Sequence, residues 1–254
     1  MRNSVTINSR RLQGVDDRRA AANGEEVVLA LVVTFVAWAC LAAPWLLGHV
    51  TIPWDAKAQF QPQVQFLARS IAQGESPFWA PYAFSGHPQV ADPQSLIFSP
   101  PFLLLALLNG SPSARAIDTT ILLVMLSGGI AVLLWFVDRG WRWPGGVLAA
   151  IVFFFGASMA WRLQHTGQVM SLVYMAWALW AMARALERRS IGWGLVAGAF
   201  VALMVLGRDQ VALLGVYFLT GYAFWHLAAS QALVRPRSWL GPVLAGGVLC
   251  LLLI

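Results

Sequence analysis

Seven apolar runs, separated by short polar turns and one long polar loop, organise this chain. They cover residues 27–48, 117–137, 145–163, 169–186, 191–207 and 211–229, and a seventh begins at Trp239 and still runs at Ile254. The six complete runs hold 17 to 22 residues, enough to cross roughly 30 Å of hydrocarbon at about 1.5 Å per residue. Lipid offers no partners to backbone N–H and C=O groups, so spans of this kind are helical. The pattern predicts an all-α fold: a polytopic membrane helix bundle of about seven transmembrane helices. The last run stops after 16 apolar residues without a polar flank, so the 27–254 transmembrane module reads as truncated at its C-terminus.

The long loop, residues 49–116, has elements of its own. Phe60, Val64, Leu67 and Ile71 share one helical face, Gln61, Gln65, Arg69 and Gln73 occupy the rest, and Gly74 follows as a stop. That is the pattern of a helix lying at the membrane surface. Residues 96–108 are apolar but only 13 long and interrupted by Pro100-Pro101, which predicts a re-entrant or surface-lying segment. The loop is thus expected to hold juxtamembrane helices. Gly194 and Gly198 form a small-xxx-small pair suited to a close helix crossing.

Composition agrees: 59% of residues are hydrophobic, 11% charged, and mean hydropathy is +0.66, unlike an average soluble domain. A net charge of +6 would point to nucleic acid in a soluble protein, but its placement argues otherwise. Alternate loops, starting with the N-terminal segment, carry 12 Lys and Arg against 5 in the other set, which contains the longest loop. The positive-inside rule then makes residues 1–26 a mobile cytoplasmic tail and puts loop 49–116 outside. Cys40 and Cys250 fall inside apolar runs and read as fillers, with no disulfide available. Most of the 13 Trp read as interfacial anchors.

Three outer segments offer chemistry. The loop supplies Asp55, His87, Gln89, Asp92 and Gln94, a second turn Arg162, Gln164, His165 and Gln168, and a third Gly207-Arg208-Asp209-Gln210. Asp55 and Asp92 are carboxylates at a membrane surface, placed for proton or divalent-metal chemistry, against the plainer readings of a helix cap and an Asp-Pro turn. Arg162, His165, Gln168 and Arg208, together with His87 and Gln94, are candidates for binding an anionic headgroup, because an Arg fork pairs with phosphate oxygens. A polar cap for His165 and a turn ion pair for Arg208-Asp209 are the structural alternatives. No Gly-rich phosphate loop, HExxH, GxSxG or CxxC occurs, which leaves nucleotide-dependent and serine-hydrolase chemistry without support.

Several motifs carry a family likeness: Trp54-Asp55 through Pro62, Phe78-Trp79-Ala80-Pro81, Gly86-His87-Pro88, Ala91-Asp92-Pro93-Gln94 and Phe98-Ser99-Pro100-Pro101. His165 to Gln168 with Ala176-Trp177, and Gly207 to Gln210, add to it. Over residues 27–254 the chain resembles the bacterial YfhO-like membrane proteins of the wider GT-C superfamily of polyprenyl-phosphate-sugar-dependent glycosyltransferases. It departs from that family at Ala80, Ser99 and Arg208-Asp209. The resemblance implies a bacterial inner-membrane glycosyltransferase with a cytoplasmic N-terminus. Such an enzyme moves sugar from a polyprenyl-phosphate carrier to an envelope glycan, lipid or protein acceptor, among membrane lipids and without nucleic acid. It also implies that Asp55, just after the first span, is catalytic base or metal ligand, with Asp92 the second candidate and a divalent metal a possible cofactor. The alternative is a non-catalytic transporter or flippase-like protein for lipid-linked glycans.

Overall fold

A computed structural model of the protein describes residues 24–82, 85–92, 94–207, 209–230 and 239–254. Most of the expected N-terminal tail, and Arg208, lie outside the described residues. Every regular element described is helical, apart from one antiparallel bridge between Ala80 and His87.

The order is α1 (Gly24–Leu46), a π-helical turn (Ala56–Phe60) running into α2 (Gln61–Gln73), α3 (Pro100–Leu108) and α4 (Ala114–Asp138). Then come α5 (Trp143–Phe155), α6 (Ala157–Arg162), α7 (Thr166–Arg188), α8 (Ile191–Leu206), α9 (Gln210–Ala229) and α10 (Leu240–Leu253). Five helical segments are long and apolar enough to cross a membrane: α1, α4, α5 with α6, α7 and α9. Against the expectation of about seven spans stand five full-length candidates and two shorter apolar helices among the described residues. At about 1.5 Å per residue, the 16 residues of α8 and the 14 of α10 fall short of the hydrocarbon thickness.

The run expected to continue through 145–163 is broken. Gly156 leaves helical geometry (φ −65°, ψ 158°), separating α5 from α6. A Cβ there would stand 2.3 Å from the Val152 carbonyl oxygen, so only glycine fits the bend. The double proline is not an interruption either. Pro100 and Pro101 open α3, where a missing N–H costs nothing and φ is already helical.

Helix α7 is central and packs on α4, α8 and α9, while α4 also carries α1 and α5. Small buried residues, among them Ala178, Ala181 and Ala183, let its neighbours approach. The 194/198 pair meets its expectation: a Cβ on Gly194 would lie 2.3 Å from the Pro242 oxygen, and one on Gly198 2.1 Å from the Gly246 oxygen. Backbone touches backbone where α8 crosses α10. In the long loop, Val64 and Leu67 of α2 are buried as the period foretold, and Leu67 and Ala68 close a small core with Ile97 and Ala106.

The two ends of the bundle differ chemically. At one end the turns after α4 and α7 interlock: Arg184 pairs with both oxygens of Asp138, and Arg139 pairs with Glu187 and donates to the Tyr222 hydroxyl at 2.9 Å. The Arg184 guanidinium also lies 4.4 Å from the Trp180 ring centre and 4.7 Å from that of Trp193, a cation–π arrangement. The opposite end gathers the long loop and the starts of α7 and α9.

Candidate functional site

At that second end lies a cavity of about 370 Å³. Asp55, Asp92, Gln94, His165, Gln168 and Asp209 supply its polar wall, and Phe60, Met170, Leu203 and Leu206 part of its apolar wall. A recess of this composition suits an amphiphile, with a few polar groups fixing orientation inside an apolar shell.

Asp55 and His165 meet across the chain fold. Asp55 sits directly before the π-helical turn, and His165 is the N-cap residue of α7. His165 Nδ1 stands 3.0 Å from Asp55 Oδ2, an ion-pair contact that sets the imidazole directly against the carboxylate. The side chains are 48% (Asp55) and 35% (His165) exposed, which leaves the pair open to a substrate.

Asp92 is held more tightly. Its Oδ1 accepts from the Gln94 backbone N–H at 2.9 Å, and its Oδ2 accepts from Gln63 of α2 at 3.1 Å. His87 Nε2 lies 3.7 Å from that same oxygen. His87 is placed by the Ala80–His87 bridge and by Gly86 (φ +112°), where a Cβ would lie 2.6 Å from the Trp79 ring. The Gln94 side chain in turn accepts from the Gln59 amide. Asp92 is thus the hub of a polar network that ties α2 to the loop.

Asp209 stood in the sequence only as the turn partner of Arg208, yet it lines the cavity. Its Oδ1 caps α9 by accepting from the Ala212 N–H at 2.7 Å, and its Oδ2 accepts from the Ser171 hydroxyl at 2.7 Å. On the inner wall the hydroxyls of Ser99 and Tyr174 lie side by side without forming a bond of normal geometry. These were legible only as scattered polar positions. On α7, Gln168, Ser171 and Tyr174 recur at helical spacing, a polar stripe facing the cavity.

Arg162 is not part of the lining. Its guanidinium turns back along α6 to the Ser158 hydroxyl at 2.7 Å and the Ser158 carbonyl at 3.2 Å. Arg208 lies outside the described residues, between Gly207 and Asp209, which both line the cavity. Among the described residues, the lining holds three carboxylates and one imidazole, with no Lys or Arg. The same residues contain no group of three or more His, Cys, Asp or Glu side chains placed to hold a metal ion.

A family model for dolichyl-phosphate-mannose-protein mannosyltransferases matches residues 103–254, more than half of the chain. No curated protein and no solved structure matches it. The matched stretch contains the central helices and the His165, Ser171 and Asp209 wall of the cavity, and the Asp55 loop precedes it. The chain belongs to the dolichyl-phosphate-mannose-protein mannosyltransferase family and is a multi-pass membrane glycosyltransferase of the GT-C type.

Proposed function

We propose that the protein transfers a sugar from a polyprenyl-phosphate carrier to a cell-envelope acceptor, at the outer face of a bacterial inner membrane, with its N-terminus in the cytoplasm. The observation that carries this reading is the Asp55–His165 pair at 3.0 Å in a cavity that is polar on one wall and apolar on another.

The chemistry is a displacement at the anomeric carbon. An acceptor hydroxyl attacks that carbon, its proton passes to the Asp55 carboxylate, and the bond from carbon to phosphate oxygen breaks. Polyprenyl phosphate leaves with the bond's electron pair. His165 holds one carboxylate oxygen and so directs the other toward the acceptor; positioned base catalysis of this kind contributes typically about 10²–10⁴-fold. The apolar wall accommodates the first units of the lipid tail. Asp92, through Gln63 and Gln94, keeps the loop closed over the cavity, with His87 beside it.

Charge on the leaving phosphate falls to His165 and Gln168 in the lining and to Arg208 between its two lining neighbours. Arg162 reaches that position only by leaving Ser158. The deciding assay follows label from a polyprenyl-phosphate sugar into product in membranes containing the full-length protein. Transfer by wild type and its loss in Asp55→Asn support the reading, and an equal rate in the variant refutes it.

A further inference from the structure

Asp118 is an acid that the mechanism above does not use. It sits in the second turn of α4, only 6% exposed, at the edge of an apolar span, where an ionised group is costly and is kept when it has a task. Its Oδ2 accepts from the backbone N–H of Ile52 at 3.0 Å. Removing this acceptor would strand a buried N–H, which costs more than the loss of an exposed hydrogen bond.

The start of α4 grips the chain twice. Arg115, three residues before Asp118, donates to the Leu46 carbonyl at the end of α1. Its guanidinium also passes over Gly48 (φ +81°), 3.4 Å from where a Cβ would stand. Ile52 itself is fully buried. Only Pro53 and Trp54 separate it from Asp55. Proline has its φ fixed, and Trp54 adopts a left-handed conformation (φ +56°) that a bulky residue holds only when its surroundings over-determine it. The Trp54 carbonyl is held from the far side by the N–H groups of Lys57 and Ala58, each at 2.9 Å. Between these two anchors the backbone has little freedom left.

We infer that Asp118 is a positioning residue: by fixing the Ile52 N–H it sets the strained Trp54 turn and so places the Asp55 carboxylate against His165. This rests on the catalytic reading of Asp55. Misplacement of a reacting group by about 1 Å can cost on the order of 10²-fold in rate, so the effect should appear in turnover and not in carrier binding.

The test uses the full-length protein in membranes, with two readouts. One is transfer kinetics for Asp118→Ala and Asp118→Asn. The other, independent of activity, is cross-linking of an Asp55→Cys/His165→Cys pair by a short bifunctional thiol reagent, in a Cys40→Ala/Cys250→Ala background. Asp118→Ala is expected to lower cross-linking yield and to reduce kcat by about 10- to 100-fold, with KM for the lipid-linked sugar unchanged. Asp118→Asn retains an acceptor oxygen and should recover most of both. Wild-type cross-linking in Asp118→Ala, or an Asn variant as impaired as the Ala variant, overturns the inference. Should Asp118→Ala not assemble, Asp118→Glu displaces the acceptor by one methylene while keeping the charge, and both readouts must fall. If the wild-type protein transfers no sugar, the cross-linking result still decides the positioning role while the catalytic reading fails.

Discussion

His165 Nδ1 and Asp55 Oδ2 stand 3.0 Å apart, joining the loop after the first span to the N-terminus of the central helix. Neither residue is buried, and the contact is made across a cavity and not within the core. The fold brings them together because α4, which anchors the loop, packs directly on α7.

Asp55→Asn should leave expression and the solubilised elution profile unchanged, since the amide has nearly the same shape. Transfer should drop by about 10²–10⁴-fold. Initial rates at saturating lipid-linked sugar check this, and a wild-type rate would assign Asp55 a structural role.

His165→Gln should cost less, on the order of tenfold, because it loosens the carboxylate without removing the base. The decline should lie in kcat. A loss as large as that of Asp55→Asn would make the contact with the leaving phosphate, and not the carboxylate's orientation, the main task of His165.

At the opposite end, Arg184→Ala should destabilise the protein by about 3 kcal/mol, because it strands Asp138 in a mostly enclosed site (19% side-chain exposure for each partner). Thermal unfolding in detergent measures it. Arg162→Ala, which loses only contacts to Ser158 in its own helix, should shift the midpoint far less.

Gly198→Ala should cost about 1–3 kcal/mol through overpacking, since its new Cβ would meet the Gly246 backbone at 2.1 Å. Gly247→Ala, on the partner helix α10 with open space around it, is the control. Equal melting curves for the two variants would show that the α8–α10 crossing can yield.

Reporter fusions at Gly74 and Arg188 should fall on opposite sides of the membrane. Gly74 ends α2 in the Asp55 loop, whereas Arg188 ends α7 at the Asp138–Arg184 end of the bundle. Finding both on one side would dismantle the proposed topology.

Much of this architecture was legible in the sequence, for reasons that differ from residue to residue. The period placing Val64 and Leu67 inward works because α2 has one wet face and one packed face. The Gly194/Gly198 crossing was legible because only small residues permit such an approach. Asp55, Asp92 and His165 stood out as polar groups beside apolar runs. Their partners did not, because the pairing of Asp55 with His165 depends on how α4 meets α7 and leaves no local trace. Arg162 looked like a phosphate ligand by residue type, yet its reach is spent along its own helix. Asp118 was hidden because it falls inside a run counted as apolar. The signal was there nonetheless: a single acid near the start of a long span.

The bend at Gly156 bears on how this protein tolerates its surroundings. Helices respond to a thicker or thinner bilayer by tilting, and a straight rod from Trp143 to Arg162 would swing its outer tip with every such adjustment. Because α5 and α6 have separate axes, the tilt of the long piece need not be passed on to the short one that leads into His165. The contact of the imidazole with Asp55 lies beyond that bend, so it need not shift when the long piece tilts.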